Sequence, residues 1–347
     1  MISKIYTTLI FFVACIGTQA ALLRDTTEIR KAQIEDLSLF VNDFVRKGPA
    51  FNGYHHRYNI SLFGISRRDR DEKETYLIER GSAERNRSAF ARSFIHLNPR
   101  TTLYGKAEYR KQKQYNVLMN STLDFDFIYP QHTAFRIEKD ADIEIYAFDR
   151  GFSHKTGKWT IGAETDFTAA QKYWQSDPRP RAVSSDLNAK IGCSRILGGN
   201  YGLRINASGR RYKQSFSTIS MSDDHKGPEY DSYNMLGPLY WYALYSDYNP
   251  EFSLQYQGYG YSMGGGLFST AASGFHIYGE YARITVDRFY NRSDMNLDVP
   301  ISDLGYAPST VMPALQFRPY RRHGRICGTS LEPLPIRRPG TLRYMES

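Results

Sequence analysis

The sequence predicts an all-β fold, an antiparallel transmembrane β-barrel with a short N-terminal helical or irregular lead-in. Three observations favour this fold. Many segments alternate apolar and polar side chains over about ten residues or more, which exceeds the usual soluble strand and matches a membrane-crossing strand. Short and long connections alternate along the chain, and an export leader is followed by no long apolar run. We expect about 10 to 12 visible strands, which do not complete the barrel.

The alternation is clearest in the two strands around residues 197–200. Over residues 186–194 one set of alternate positions carries Leu, Ala, Ile and Cys, and the other set is mainly polar. Over residues 201–208 Tyr, Leu, Ile and Ala alternate with Gly, Arg, Asn and Ser. Since strand side chains point to opposite faces in turn, each strand has one apolar face. That face is turned to a core in a soluble sandwich and to lipid in a barrel, so alternation alone does not separate the two.

Residues 1–20 have the features of a signal peptide. Lys4 precedes an apolar run from Ile5 to Ile16, and a plausible cleavage site follows at residues 18–20. A lipobox that ends at Cys15 is an alternative interpretation of the same residues. Beyond the leader the sequence contains no run of about 18 apolar residues, so it predicts no membrane-spanning helix. Because only helices and closed barrels span a bilayer, an exported protein of this kind is either soluble or a barrel.

Residues 21–50 predict a periplasmic lead-in, either a short helix or an irregular segment, and the barrel is predicted over residues 51–304. Short turns are expected at 99–100, 156–157, 197–200 and 272–274, and long polar connections at 67–88, 172–184 and 218–250. Besides the two strands around residues 197–200, the pattern predicts strands over residues 58–63, 89–98, 101–113, 119–129, 140–151, 159–168, 252–268 and 274–289.

Residues 305–347 do not continue the pattern. Prolines recur, arginine is frequent and the alternation is lost, whereas proline is excluded from central strands. We interpret this segment as an irregular basic tail that is out of frame, so that the barrel is truncated or frame-shifted after about residue 304. A genuine disordered tail is the alternative.

The charge and the cysteines point to no specific chemistry. A formal net charge of +9 suggests an acidic partner such as nucleic acid or lipopolysaccharide, but much of it lies in the basic tail. Outside the leader, Cys193 and Cys327 form neither a disulfide framework nor a zinc spacing. The 27 tyrosines and 20 phenylalanines suit strands and membrane-interface girdles. Residues 239–245, the densest aromatic stretch, predict an interface cluster or a carbohydrate-stacking platform.

Two carboxylate pairs are the candidates for general acid–base chemistry. Asp142 with Glu144, and Glu164 with Asp166, each share one face of a predicted strand. A hydrated lumen wall is the preferred interpretation of both pairs, because lumenal positions are normally polar. The adjacent pair His55–His56 points to opposite faces, which disfavours joint metal binding. We therefore predict no catalytic, cofactor-binding or metal-binding residues, and no cofactor.

Two glycine groups in the chain could be mistaken for a nucleotide loop. Gly258 with Gly260, and the run 264–266, do not precede a predicted helix, and their spacing fits neither the dinucleotide fingerprint nor the phosphate loop. Close strand packing or a glycine kink is the preferred interpretation.

Several short motifs resemble those of an uncharacterised outer-membrane β-barrel family of Bacteroides-type bacteria. The motifs are Asp177-Pro178-Arg179-Pro180 before a strand near Asp186, Arg211-Tyr212-Lys213-Gln214, Ile95-His96-Leu97-Asn98, Gly105-Lys106-Ala107-Glu108-Tyr109 and, with a departure at its first position, Gly48-Pro49-Ala50. The resemblance covers about residues 48–304 and implies an outer-membrane barrel with longer relatives. It carries over no active residues.

The sequence therefore predicts a porin-like, non-enzymatic protein of the cell outer membrane with a structural, transport or surface-interaction role. Its expected partners are outer-membrane lipid, lipopolysaccharide and the barrel-assembly machinery, with no nucleic acid. An outer-membrane enzyme with carboxylates at the barrel rim and a secreted soluble β-sandwich binding protein are the alternatives.

Overall fold

The computed structural model describes residues 48–52, 59–75, 77–175, 179–198, 200–218, 232–237, 240–245, 253–269, 274–292, 297–307, 309–316 and 342–343. The predicted signal peptide and nearly all of the predicted lead-in lie outside these residues.

Strands dominate the described chain, and the helices are single turns. The elements are α1 Pro49–Asn52, β1 Ile60–Asp71, β2 Ala83–Asn98, β3 Thr101–Val117, α2 Phe125–Ile128, β4 Thr133–Phe135, β5 Lys139–Thr156, β6 Trp159–Tyr173, β7 Pro180–Gly198, β8 Tyr201–Thr218, β9 Ser232–Gly237, β10 Tyr240–Tyr245, β11 Ser253–Ser269, β12 Gly274–Arg292, β13 Leu297–Tyr306, β14 Ser309–Gln316 and β15 Leu342–Arg343, with a 3₁₀ turn at Ile78–Arg80.

The strands form one large antiparallel sheet and one small one. The large sheet has 12 described strands in the order β1-β2-β3-β5-β6-β7-β8-β11-β12-β13-β15, with β14 also paired to β12. The hydrogen-bonded order of the described strands runs from β1 to β15 and does not close. A second sheet has the order β10-β9-β4. The predicted all-β, antiparallel fold is confirmed.

Local side-chain chemistry fixes the short turns. At residues 99–100 the Asn98 side-chain oxygen accepts hydrogen bonds from the backbone N–H groups of Arg100 (2.9 Å) and Thr101 (2.8 Å), which is an Asx turn. At the β5–β6 turn Gly157 has φ of 59°, a left-handed conformation that favours glycine. These turns lie at one end of the large sheet, and the longer connections 72–82, 118–138 and 174–179 lie at the other end.

The large sheet has two faces and two halves. The inner face is the one on which α1 and residues 118–135 pack, and the outer face is the opposite one. The turn half contains the strand residues nearer the short turns, and the loop half contains those nearer the long connections. The turn half comprises residues 60–65, 89–98, 101–109, 146–156, 159–169, 186–198, 201–211, 259–269 and 274–283 of the strands; the rest of each of these strands is the loop half.

In the turn half the outer face is mainly apolar and exposed, with Arg150, Arg211 and Arg283 as exposed exceptions. Ile191 is 65% exposed, Ile205 66% and Met263 64%, although all three belong to long central strands. The residues before and after each of them point to the inner face and are polar or glycine. β7, β8 and β11 are paired without a register shift at these positions, so the three side chains share the outer face. The large outer side chains of the turn half include Phe63, Ile65, Ile95, Leu103, Tyr109, Tyr146, Phe148, Phe152, Trp159, Ile161, Phe167, Leu187, Leu203, Tyr259, Tyr261, Ile277 and Tyr281.

In the loop half this polarity is reversed. Inward-facing Ile143, Phe216 and Leu254 are 6%, 0% and 0% exposed and belong to one apolar cluster, whose other members are Val117, Leu123, Phe135, Ala141, Ala170, Trp174 and Ala182. A second cluster joins α2 to the inner face through Ile128, Tyr212, Tyr256, Ile284 and Val286. Here the apolar face of the sheet packs against residues 118–135, as in a soluble protein.

The predicted strand over residues 119–129 is wrong. Met119 and Asp124 have φ of 60° and 51°, which breaks an extended chain, and α2 follows directly. The predicted turns at 99–100 and 156–157 and the strands of the 186–208 hairpin lie where the sequence placed them, whereas residues 272–273 of the fourth predicted turn lie outside the described residues. The predicted connection 172–184 is shorter than expected, because β7 already begins at Pro180. The charged stretch 67–88 forms mainly strand ends, because β1 reaches Asp71 and β2 begins at Ala83.

The predicted barrel boundary at residue 304 lies inside β13, and β14 follows it. Gly274 to Tyr281 of β12 pairs with Gln316 to Ser309 of β14 in antiparallel register. Residues 317–341 and 344–347 of the predicted irregular tail lie outside the described residues. The predicted change of reading frame stays a prediction.

Candidate functional site

The inner face of the turn half carries a network of charged and polar side chains. Glu164 accepts a hydrogen bond from the Tyr104 hydroxyl at 2.9 Å, and its other oxygen lies 3.5 Å from the Lys190 amine. These residues are neighbours because β6 and β7 place Glu164 directly opposite Lys190. The register therefore brings opposite charges together across strands, which stabilises the pairing.

Opposite charges also pair elsewhere on the inner face, diagonally between β7 and β8 and along β3. The Arg210 guanidinium donates to both carboxylate oxygens of Asp186, with distances of 2.6 to 3.1 Å. Glu108 accepts from the Lys106 amine at 2.6 Å and from Arg110 at 2.7 Å. Such charge-assisted pairs keep acids and bases together on a hydrated wall.

A cavity of about 420 Å³ lies against this network. Its wall comes from β6, β7, β8, β11 and β12, and Phe127 of α2 covers one side. Gly260 contributes no side chain, which leaves space at the level of Asn188 and Arg210. Two of the lining carboxylates accept hydrogen bonds from neutral side chains. Asp166 accepts from the Asn188 amide at 3.2 Å, and Glu280 accepts from the hydroxyls of Ser262 and Tyr278. The cavity is a polar chamber of mixed charge.

Residues 118–135 cover the inner face on the loop side of the cavity. The segment folds back on itself, with Met119 N donating to Phe135 O at 3.2 Å and Ser121 N donating to Thr133 O at 3.0 Å. The buried Lys172 amine of β6 donates to the backbone oxygens of Asn120 (3.2 Å) and Thr122 (3.3 Å). Because a buried ammonium group needs acceptors, these carbonyls hold the segment against the sheet.

His132 lies in the same segment, 2% exposed, and its Nε2 lies 3.1 Å from the Met119 carbonyl oxygen. Burial, and next the positive charge of Arg288, lowers the pKa of His132 from 6.5 to about 4. The imidazole is therefore neutral at pH 7 and donates its Nε2 proton to that carbonyl.

Helix α1 covers the inner face on the turn side of the cavity. A Cβ atom at Gly162 would lie 2.6 Å from the backbone carbon and oxygen of Pro49, so the helix packs directly on a bare stretch of β6. Gly192 lies opposite Gly162 on β7 and meets the Pro49 ring in the same way. Ala50 is 2% exposed as a result. The two glycines thus form the seat of α1.

The two predicted carboxylate pairs have different positions. Glu164 and Asp166 lie on the inner face, as predicted. The prediction that Asp142 and Glu144 line the same wall is wrong, because they lie on the outer face of the loop half. There Gln175 donates to Asp142 at 2.7 Å and Gln171 to Glu144 at 2.9 Å. Their apolar neighbours Ile143 and Ile145 point inward because residues 118–135 cover that part of the sheet.

Several other predicted features have definite positions. The glycines of residues 258–266 lie inside β11, in agreement with close strand packing. Cys193 lies half-buried on the outer face of β7 as a free thiol. The backbone of residues 240–245 forms β10, and His55–His56 and Cys327 lie outside the described residues.

Metal-binding clusters and membrane-spanning helices are both absent from the described residues. No group of His, Cys, Asp and Glu side chains in the described chain has an arrangement that could hold a metal ion. Among the helices formed by the described residues, none has the length and hydrophobicity needed to cross a membrane.

The inner-face cover and the seat of α1 were not found from the sequence. The signal for the cover was present, since the turn-forming residue Asp124 falls inside the predicted strand 119–129 and Asn116 and Pro130 flank it. The inward direction of the cover and the glycine seat depend on long-range packing, which has no local signature.

Among the described residues, the large antiparallel sheet does not close, and near the short turns its long strands are mainly apolar on the outer face and polar on the inner face. Residues 49–323 match the model of a family described as a family of unknown function, DUF6850. Because this match covers more than half of the sequence, the chain belongs to that family. The predicted membership in an uncharacterised family is confirmed, whereas the Bacteroides-type source stays a prediction.

A comparison with curated proteins found no match. Among solved structures, the chain is similar to the alcaligin outer-membrane receptor FauA from Bordetella pertussis, with 12% identity, a TM-score of 0.37, and 69% of this chain and 36% of that chain covered. It is also similar to the ferric preacinetobactin receptor BauA from Acinetobacter baumannii, with 10% identity, a TM-score of 0.39, and 73% and 40% covered.

The ferric citrate transporter FecA in its unliganded form matches with 10% identity, a TM-score of 0.33, and 67% and 33% covered. The chain therefore matches between 33% and 40% of the length of these structures. At these TM-scores the likeness carries no argument about this chain.

Proposed function

We propose that this chain is an outer-membrane β-barrel protein whose turn half crosses the bilayer and whose role is structural, transport or surface interaction rather than catalysis. The observation that carries the proposal is the polarity of the turn half, with exposed aliphatic and aromatic side chains outside and charged side chains inside. A soluble protein rarely exposes a contiguous apolar surface of this extent, whereas a membrane barrel requires one.

The length of the apolar surface supports the same proposal. On β7 the apolar outer positions run from Leu187 to Leu197, which is about 11 residues and matches a tilted strand that crosses a bilayer. Arg195 interrupts this series near the turn, where its guanidinium lies 5.0 Å from the Trp159 ring centroid. An Arg–Trp pair at this level suits the membrane–water interface, where both residue types are favoured. The predicted export leader supports the same location.

The inner face favours a hydrated wall over a catalytic centre. Glu164 is held by Tyr104 and Lys190, and Asp186 by Arg210, so these acids are neutralised by fixed partners. A general acid or base needs a carboxylate oxygen that a substrate can reach, and in Glu164 and Asp186 the carboxylate oxygens are engaged by their partners. An enzyme would instead lose its activity on replacement of Glu164 or Asp166. A hydrolytic activity of the purified chain that E164Q or D166N abolishes would contradict the non-enzymatic role.

Fractionation of cells that express the full chain tests the location. We expect the protein in the outer-membrane fraction after a high-salt or urea wash, and in solution only after addition of detergent. In detergent it should migrate differently on gels before and after heating, because a folded barrel resists unfolding by the gel detergent. Release into aqueous buffer without detergent would show that the exposed aliphatic surface faces something other than lipid, and the proposal would fail.

The transport role has a separate test. Swelling of vesicles that contain the purified chain reports the permeation of small uncharged sugars. We expect swelling to rise when residues 119–134 are replaced by a short Gly-Ser linker, since that segment covers the loop side of the inner face. Identical rates for wild type, this deletion and protein-free vesicles would leave the structural or surface-interaction role as the function.

A further inference from the structure

Three adjacent strands carry a cation at the same level of the outer face. Arg67 of β1 pairs in register with Arg87 of β2, and Arg87 pairs with Lys111 of β3. All three side chains are exposed. We call these three residues the cation row. Directly opposed side chains in a sheet have Cβ atoms only about 5 Å apart, and like charges in this arrangement destabilise the pairing.

In the described part of the chain, Arg67 is the member of the cation row that forms an ion pair, with Asp69 at 2.8 Å. Within the described residues, no hydrogen bond or ion pair engages Arg87 or Lys111. Glu144 lies opposite Lys111 on β5, but its carboxylate accepts from the Gln171 amide at 2.9 Å instead. Arg87 and Lys111 therefore have no direct ion-pair partner within the described residues, although the carboxylates of Asp69 and Glu144 lie nearby on the same face.

The next row towards the long connections differs in this respect. Lys113 forms an ion pair with Asp140 at 3.3 Å, and the Arg85 guanidinium lies 5.2 Å from the centroid of the Tyr115 ring. These cations have partners within the chain, although they lie only two residues, about 6.6 Å, along the same strands. The excess positive charge is thus confined to a single level of β2 and β3.

That level is the upper border of the apolar outer surface. One row below Lys111, the Tyr109 and Tyr146 rings pack with centroids 5.1 Å apart. On β1, Ile65 lies at the level of Tyr109 and Phe63 lies one row below it, and they are 79% and 78% exposed. Along β3 the outer face therefore passes from Leu103 and Ala107 through Tyr109 to Lys111, which is the order of acyl chains, interface and phosphates in a lipid leaflet.

We infer that the cation row is a docking site for the phosphate headgroup of an anionic outer-leaflet lipid, whose acyl chains lie on the apolar surface below. The inference rests on the proposed function, since it assigns that surface to the bilayer. Phosphate oxygens relieve the repulsion between Arg87 and Lys111, and Arg87 offers the planar fork that binds phosphate through two bonds. A soluble polyanion would satisfy the charges but would leave the adjoining aliphatic surface without a partner.

The test uses the full chain in neutral detergent micelles, with the heat-modifiable gel band as the measure of folded protein. Purified bis-phosphorylated lipid A is titrated in, and the midpoint temperature of band loss is recorded. We expect the midpoint to rise with lipid A, because a ligand that binds only the folded state stabilises it. The double variant R87Q/K111Q should bind lipid A on the order of 30-fold more weakly, since each cation near a lipid surface contributes roughly 1 kcal/mol.

The control R85Q/K113Q removes the same charge one row higher and should respond to lipid A nearly as the wild type does. An equal shift with phosphatidylcholine of matched chain length would overturn the inference, as would an unchanged response of R87Q/K111Q. An equal shift with inorganic pyrophosphate alone would identify a free-anion site instead of a lipid site. A heat-modifiable chain that ignores lipid A contradicts only this inference, whereas a chain with no heat-modifiable band in any detergent contradicts the proposed function.

Discussion

The turn half and the loop half of the large sheet belong to the same strands and have opposite polarity. In β5, Phe148 and Phe152 point outward near the short turn, whereas Ile143 and Ile145 point inward near the long connection. The backbone alternates without interruption between them. What changes is the neighbour of the apolar side chains, which is residues 118–135 in the loop half and, under the proposed function, the bilayer in the turn half. A strand therefore turns its apolar side chains towards whichever face excludes water.

The comparison predicts its largest effect in the core of the loop half. Phe216 is 0% exposed, and its ring centroid lies 6.4 Å from that of Phe135. Phe216→Ala should lower the free energy of unfolding by about 3–5 kcal/mol, because it leaves a cavity as well as losing apolar burial. Phe167, on the outer face of the turn half, is the matched control and should cost only about 2 kcal/mol as alanine, since lipid fills the space.

Urea unfolding of the chain in lipid vesicles, followed by band migration, measures both variants. Equal losses for Phe216→Ala and Phe167→Ala would show that the two halves have the same kind of apolar neighbour.

A charge on the outer face should separate the halves in the opposite sense. Ile191 of the turn half is 65% exposed, and Val183 of the loop half, on the same strand, is 40% exposed. Ile191→Arg should destabilise the chain in vesicles by about 2–4 kcal/mol, because a guanidinium near the middle of the bilayer is costly. Val183→Arg should change stability by less than about 0.5 kcal/mol, since its position faces water.

The same unfolding assay reports these two arginine variants. If Val183→Arg were as harmful as Ile191→Arg, the membrane boundary on β7 would have to lie nearer the long connections than we propose.

The pH dependence of residues 118–135 tests the loop half alone. The folded pKa of His132, about 4, lies below the ordinary 6.5, so the neutral imidazole contributes stability that is complete above pH 6.5. This contribution is lost as the pH falls from 6.5 towards 4, and its total is on the order of 3 kcal/mol. The hydrogen-exchange protection factors of residues 118–135, taken relative to the intrinsic amide rates at each pH, should fall over this range, while those of the strands of the turn half stay constant.

His132→Gln is the control for this pH effect, because its amide can donate to the Met119 carbonyl but does not titrate. The protection factors of residues 118–135 in the variant should not depend on pH between 6.5 and 4.5. A variant with the full pH dependence of the wild type would assign the effect to other groups.

The smallest effect is expected at the seat of α1. Gly162→Ala places a Cβ atom 2.6 Å from the Pro49 backbone and should displace α1 at a cost of about 1 kcal/mol or slightly more. Gly209→Ala, on the outer face of β8, meets no atom within 4 Å and is the control. A protease should cut near residues 47–52 faster in Gly162→Ala only. Equal cutting in both variants would argue against the seat.

Much of the turn half could be predicted from the sequence because its alternation is local. In β3, β6, β7 and β8 the pattern of side chains gives the strand, its approximate limits and its two faces. The loop half was harder to predict. The sequence analysis assigns every polar alternate position to the inner wall, which misplaces Asp142 and Glu144, because the uninterrupted phase of β5 puts them on the same outer face as Phe148 and Phe152. It also predicts a strand over residues 119–129, which the structure does not contain. Both errors have one cause, which is that residues 118–135 fold onto the inner face of the loop half instead of forming a further strand.

The sequence by itself determined the all-β class, the antiparallel neighbours joined by short turns, and the apolar and polar face of each strand near those turns. These features follow from a period of two and from turn residues such as Asn98 and Gly157, which act over a few positions. Only the tertiary structure decided which face is inner, where residues 118–135 and α1 pack, and that Arg87 and Lys111 share one level. Strand register and long-range contacts set those features, and neither has a local signature.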